Sequence, residues 1–256
     1  MIFDTHAHYD DEAFDEDREE LIHKLKESGI ANVVNVGANL KGSRAGVDLA
    51  DKYDFFYAAV GVHPDDAAEI NDEGIAVLRD LADNKKVVAI GEIGLDYYWN
   101  KENADAQKEA FERQLELARE LKLPVIIHSR EAAKDTMDIL NNHNAGEIGG
   151  VLHCFSYSEE TALEAVKMGL FIGVGGVVTF KNAKKLKDTV QKIPLEKIVL
   201  ETDCPYLAPE PFRGKRNSSL NLSYVVKAIA DLKEVDEETV IRQTFENAVK
   251  LYRINS

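Results

Sequence analysis

Two imidazoles one residue apart, His6 and His8, close the apolar opening of the chain in Ile2-Phe3-Asp4-Thr5-His6-Ala7-His8. In a strand, side chains at i and i+2 leave the same face about 7 Å apart along the backbone, so both can reach one ion. On a helix the same spacing turns them about 200° apart and the shared ion is lost. Further metal-ligand residue types follow at the ends of later apolar runs: His63, Glu92, His128, His153 and Asp203. A single histidine at a strand end is commonly a hydrogen-bonded structural residue, but independent structural histidines have no reason to share one rim. His23, in a charged helix, and His143, in Asn141-Asn142-His143-Asn144, read as surface or capping residues. Histidines mixed with carboxylates suit Zn²⁺, Mn²⁺ or Mg²⁺. Six ligands are too many for one catalytic zinc, whereas two ions sharing a carboxylate would use them all. Such a pair activates water and clamps a phosphoryl or carbonyl oxygen. That chemistry is hydrolysis.

The elements that must position these groups are eight short β-rich runs: Ile2 to Thr5, Asn32 to Gly37, Phe56 to Val62, Val87 to Ile93, Pro124 to Ile127, Gly150 to Leu152, Leu170 to Val174 and Ile198 to Glu201. Apolar residues at helical spacing lie between them, such as Phe111, Leu115, Ala118 and Leu121. Strands alternating with helices imply parallel βαβ units, and eight units in this length is the size of a (β/α)₈ TIM barrel. An α/β barrel, regular or distorted, in a single domain over residues 1–256 is therefore expected. An open doubly wound sheet would place a glycine-rich phosphate loop where His6-Ala7-His8 stands. In a barrel the C-terminal strand ends meet around one mouth, which would gather the ligand set. Leu222 to Leu232 and Glu237 to Arg253 read as helices that close the ring.

A net charge of −15 argues against a generally basic nucleic-acid binder and against a protein lying on anionic membrane. It does not exclude an anionic substrate, because salt screens charges beyond about 8 Å and the local charge decides. Cys154 and Cys204 read as two reduced, partly buried thiols. The opening Met1-Ile2-Phe3-Asp4 has no basic region followed by an apolar signal core, and no apolar run approaches the length of a membrane span. A cytoplasmic enzyme is expected.

Asp4-Thr5-His6-Ala7-His8, Gly61-Val62-His63-Pro64, Gly91-Glu92-Ile93-Gly94-Leu95-Asp96-Tyr97, Pro124-Val125-Ile126-Ile127-His128-Ser129-Arg130, His153-Cys154-Phe155-Ser156 and Glu201-Thr202-Asp203-Cys204-Pro205-Tyr206 together resemble the TatD family of metal-dependent deoxyribonucleases. The similarity runs in order over nearly the whole chain. It implies an amidohydrolase-like TIM barrel and a Mg²⁺-assisted nuclease acting on DNA, single-stranded or at frayed ends. It implies that His6, His8 and Asp203 hold one ion together with Glu92, which bridges to a second ion held by His128 and His153. His63 is then a residue near the scissile group rather than a metal ligand. One departure is visible: after Arg213-Gly214-Lys215-Arg216-Asn217 the family usually continues toward a proline, and this chain reads Ser218-Ser219-Leu220.

On this reading Asp203 accepts a proton from the attacking water, and His63 positions or protonates a substrate oxygen. Two divalent cations against Glu92 and Asp203 leave the mouth at about +2 in an acidic protein. Arg213, Lys215 and Arg216, close behind the eighth strand, are expected to contact phosphate, although a solvated basic loop would read the same way. Tyr97, Tyr98 and Trp99 could stack on an unpaired base or simply pack a loop. The rival enzyme class is a barrel hydrolase of small amides, lactones or esters. A purely structural metal is the weaker rival, since neither cysteine sits in a paired motif.

Overall fold

The computed structural model describes residues 1–254. Its eight strands are β1 (Ile2–Ala7), β2 (Ile30–Val36), β3 (Phe56–Val60), β4 (Val87–Asp96), β5 (Val125–Arg130), β6 (Gly150–Leu152), β7 (Phe171–Val174) and β8 (Ile198–Leu200). They pair in parallel in chain order, and one bridge, Ala7 to Cys204, joins the first edge to the last. Between them run α1 (Arg18–Glu27), α2 (Leu40–Lys52), α3 (Asp72–Ala82), α4 (Ala104–Leu121), α5 (Ala133–Asn142), α6 (Ala145–Ile148), α7 (Glu159–Met168) and α8 (Lys184–Lys192), followed by α9 (Leu222–Lys233) and α10 (Glu237–Tyr252). This is the (β/α)₈ barrel. No helix among the described residues is long and apolar enough to cross a membrane.

Every strand sends an apolar side chain into one cluster, including Phe3, Val34, Ala59, Ala89, Ile126, Val151, Phe171 and Val199. Ala248, Leu251 and Tyr252 of α10 join it, and the Tyr252 hydroxyl donates to the Thr5 carbonyl at 2.7 Å. The last helix thus plugs the end where the strands begin, leaving the other end open. A second, larger cluster lies between the strands and the surrounding helices, with Leu21, Ile22 and Leu25 of α1 beside Ile30 and Val33 of β2. Helix starts are fixed by side chains that accept otherwise orphaned amides: Asn39 from Gly42 before α2, Asn71 from Glu73 and Gly74 before α3, and Ser158 from Thr161 before α7.

β4 and β5 each run three residues past their expected ends, to Asp96 and Arg130, so Glu92 and His128 lie inside these strands rather than at their ends. The extension is paired: Ile93, Gly94, Leu95 and Asp96 face Ile127, His128, Ser129 and Arg130 of β5. Gly94 makes it possible. It sits at φ 144°, and a Cβ there would stand 1.9 Å from the His128 carbonyl oxygen, so any other residue would push β4 away from β5.

Candidate metal centre

Glu92, buried inside the barrel, presents its two carboxylate oxygens to two different groups of side chains. On one side Oε2 lies 3.4 Å from His6 Nε2 and 3.7 Å from His8 Nε2, and Asp203 Oδ1 stands 3.6 and 3.3 Å from the same two nitrogens. On the other side Oε1 lies 2.7 Å from His128 Nδ1 and 2.9 Å from His153 Nε2. All six residues named as ligands from the sequence therefore meet around one carboxylate. His63 approaches the second group, with Nε2 3.8 Å from Glu92 Oε1.

The donor set fits divalent cations. His6 Nε2 and His8 Nε2 are 3.1 Å apart, as are His128 Nδ1 and His153 Nε2. Donors at right angles around a six-coordinate cation of Mg²⁺ size are separated by about 3 Å. The tautomers agree with this. The Val36 carbonyl, 2.7 Å from His8 Nδ1, can only accept, so Nδ1 carries the hydrogen and Nε2 offers its lone pair to the site. Asp96 Oδ2, 3.1 Å from His128 Nε2, orients that ring in the same way and leaves Nδ1 for the site. His63 differs: its Nδ1 accepts the Asp65 amide, which puts the hydrogen on the Nε2 that faces Glu92. In that tautomer Nε2 can donate a hydrogen bond to an oxygen in the mouth, and in the other tautomer His63, Glu92 and His128 form a further triad of metal-ligating side chains.

Burial opposes the charged forms throughout, and the outcome differs from residue to residue. Burial, together with His153, pushes His6 down to about 4, and burial also takes His63 to about 4. For His8 and His128 the neighbouring carboxylates outweigh burial and lift them to about 10 and 9, so each ring gives up one proton before its site-facing nitrogen can hold a cation. Glu92 and Asp203 are held below the usual carboxylate range because, against their burial, histidines surround them. Both remain ionised at neutral pH.

The backbone around Asp203 explains its placement. Thr202 and Asp203 both donate their amides to the His6 carbonyl, at 3.3 and 2.9 Å, and Asp203 adopts the left-handed conformation at φ 56°, which Asp tolerates better than most residues. One layer below, Asp4 accepts four hydrogen bonds: from Ser219 Oγ (2.6 Å), Thr202 Oγ1 (2.7 Å), the Thr202 amide (3.1 Å) and the His6 amide (3.3 Å). The departure from the family pattern belongs to this network. Ser219 also donates its amide to the Tyr9 hydroxyl, a bond that proline could not make.

The basic loop is placed differently from the sequence expectation. Arg216 is held by both carboxylate oxygens of Asp17 (2.7 and 2.5 Å) and by the Ala13 carbonyl, with its guanidinium over the Phe14 ring. Arg213 lies over Phe180. Neither these two nor Lys215 lines the mouth, a cavity of about 980 Å³ whose lining cations are Lys41 and Arg130. Both cysteines are free thiols, and Cys154 reaches the cavity wall. His23 packs edge-on against Tyr53, and His143 faces Glu112, so both stay outside the site.

Two carboxylates went unassigned in the sequence. Asp96 holds the His128 ring. Glu201 is buried, accepts the Cys154 amide and is pushed up to about 8 by burial; one of its oxygens has no hydrogen-bond partner among the described residues, as is true of Nδ1 on both His6 and His153. Both carboxylates stand within motifs quoted above, and their partners lie 32 to 47 residues away, so local spacing gives no sign of them.

A parallel barrel with imidazoles and carboxylates converging at its open end is the architecture of a metal-dependent hydrolase. Comparison with known proteins gives the same class. The family model described as TatD related DNase matches residues 3–253, and the chain belongs to that family of metal-dependent hydrolases. It is 47% identical, over the full length of both chains, to the uncharacterized metal-dependent hydrolase YabD of Bacillus subtilis. It is 36% identical to the 3'-5' ssDNA/RNA exonuclease TatD of Cronobacter sakazakii, covering 100% of this chain and 99% of that one. The crystal structure of a TatD homologue from Escherichia coli superposes with a TM-score of 0.93 at 30% identity, over 99% of this chain and 98% of the other.

Proposed function

We propose that the protein is a cytoplasmic deoxyribonuclease that binds two divalent cations, Mg²⁺ foremost, and hydrolyses the phosphodiester bonds of single-stranded or frayed DNA. The observation that carries this reading is the split allegiance of Glu92, one oxygen in each ligand group. His6, His8 and Asp203 would hold one cation with Glu92, and His128 and His153 the other. When bound, the cations lower the pKa of water and neutralise charge developing on the phosphoryl group.

The protein's own groups do the rest. Asp203, ionised and with 18% of its side chain open to solvent, accepts the proton of the attacking water. His63, neutral with its hydrogen on Nε2, donates to a non-bridging phosphate oxygen. Asp96 keeps the His128 ring from turning. The exonuclease name of the Cronobacter relative supports nucleic acid as the substrate.

The test is a time course on end-labelled single- and double-stranded DNA with Mg²⁺, Mn²⁺ or Zn²⁺, with and without EDTA, beside a panel of small amides, lactones and esters. Cleavage of DNA that EDTA abolishes is the expected result. Turnover of the small substrates alone would replace the nuclease assignment by the rival class.

A further inference from the structure

The mouth carries an exposed aromatic pair that the metal chemistry does not use. Trp99 and Tyr98, 67% and 56% exposed, follow β4 with their rings edge to face at 4.7 Å. Large aromatic rings in water are costly unless something covers them. The Arg130 guanidinium lies 4.1 Å from the Tyr98 ring centroid and 5.5 Å from that of Trp99. Arg130 stands two positions after His128 on β5, on the same strand face, and it lines the cavity together with Trp99. Among the described residues it has no carboxylate partner, in contrast to Arg216.

This platform is fixed to the metal centre. Asp96 Oδ1 accepts the amides of Tyr98 and Trp99 at 2.9 and 3.1 Å, while its Oδ2 holds His128. The turn that carries the aromatics and the imidazole that faces Glu92 therefore hang on one carboxylate.

We infer that Trp99, Tyr98 and Arg130 form a nucleotide subsite at the rim: the indole face takes an unpaired base, and the guanidinium takes a neighbouring phosphate. The inference rests on the nuclease reading and deepens it. A stacking face recognises any base but only one free of its own neighbours, so the subsite selects for unpaired strands. The guanidinium, 4.1 Å from the Tyr98 ring centroid, is held beside the ring and keeps N–H groups for phosphate oxygens. It supplies the local positive charge first looked for in Arg213, Lys215 and Arg216.

Trp99 is the sole tryptophan, so its fluorescence reports on the subsite directly. In stopped flow with Mg²⁺, before turnover, an oligothymidylate should quench it saturably, and an abasic oligomer of equal length and charge should not. Trp99→Ala should raise KM for the oligothymidylate roughly tenfold and leave KM for the abasic oligomer unchanged. Arg130→Gln should raise both. Equal quenching by the two oligomers, or a Trp99→Ala effect that is absent or the same on both, would overturn the subsite while the nuclease reading stands. If the wild-type protein cuts neither oligomer, the nuclease reading fails and the subsite fails with it.

Discussion

Asp96 and His128 are joined by a 3.1 Å contact from Oδ2 to Nε2, and this contact leaves only Nδ1 of the ring to face Glu92. Carboxylate partners of this kind commonly contribute about 10- to 100-fold in metal affinity. Asp96→Ala should therefore weaken Mn²⁺ binding within that range by calorimetric titration while the far-ultraviolet circular dichroism stays unchanged. Unaltered affinity would show that the ring is held by packing alone.

Asp203→Asn preserves shape but removes the proton acceptor. Its kcat on DNA should fall about 10²- to 10⁴-fold. Glu92→Ala removes a donor from both ligand groups and should cost at least as much, together with the second of two binding steps in a metal titration. Near-wild-type turnover by both variants would remove the assigned chemistry.

Arg216 is engaged by Asp17 and does not line the mouth. Arg216→Ala should leave KM for DNA unchanged and lower stability by no more than about 1 kcal/mol, since the pair is partly exposed and screened by solvent. A clear rise in KM would restore this loop as a phosphate contact.

Asp4 is fully buried, and burial lifts its carboxyl to about 6 from an ordinary 3.8 despite its four hydrogen bonds. Between these values the folded chain holds a proton that the unfolded chain has released. Stability should therefore fall as pH rises from about 4 to about 6, by up to about 3 kcal/mol, and be flat on either side as far as this group is concerned. Asp4→Asn should flatten that part of the profile in urea unfolding, read as the difference from wild type at each pH so that other groups cancel. An identical slope in both proteins would count against the lifted carboxyl.

Much of the barrel was readable because strands buried on both faces are rich in apolar, β-branched residues, such as Val33, Val34 and Val36 in β2. The convergence of the candidate ligands was readable because histidine is scarce and five of the seven stand beside such runs. What could not be read depends on contacts between distant parts of the chain. Arg216 finds Asp17 across 199 positions, and nothing in Arg213-Gly214-Lys215-Arg216 announces that partner. The use of Ser219 is likewise visible only once Asp4 and Tyr9 are beside it. The length of β4 was underestimated because Gly94, which ordinarily weakens a strand, is here the residue that lets the strand continue.

One ladder bridge, Ala7 to Cys204, joins the first and last strands, with the backbone hydrogen bonds of Thr202 and Asp203 to His6 and of His8 to Cys204 beside it, whereas every other neighbouring pair shares at least two positions in register. His6 and His8 stand on one side of that junction and Asp203 on the other. A cation gripped by these three would act as a rivet between the first and last staves, so that catalytic loading and mechanical closure of the cylinder become one event. Amide hydrogens along this junction are then the ones whose exchange should slow most when metal is added.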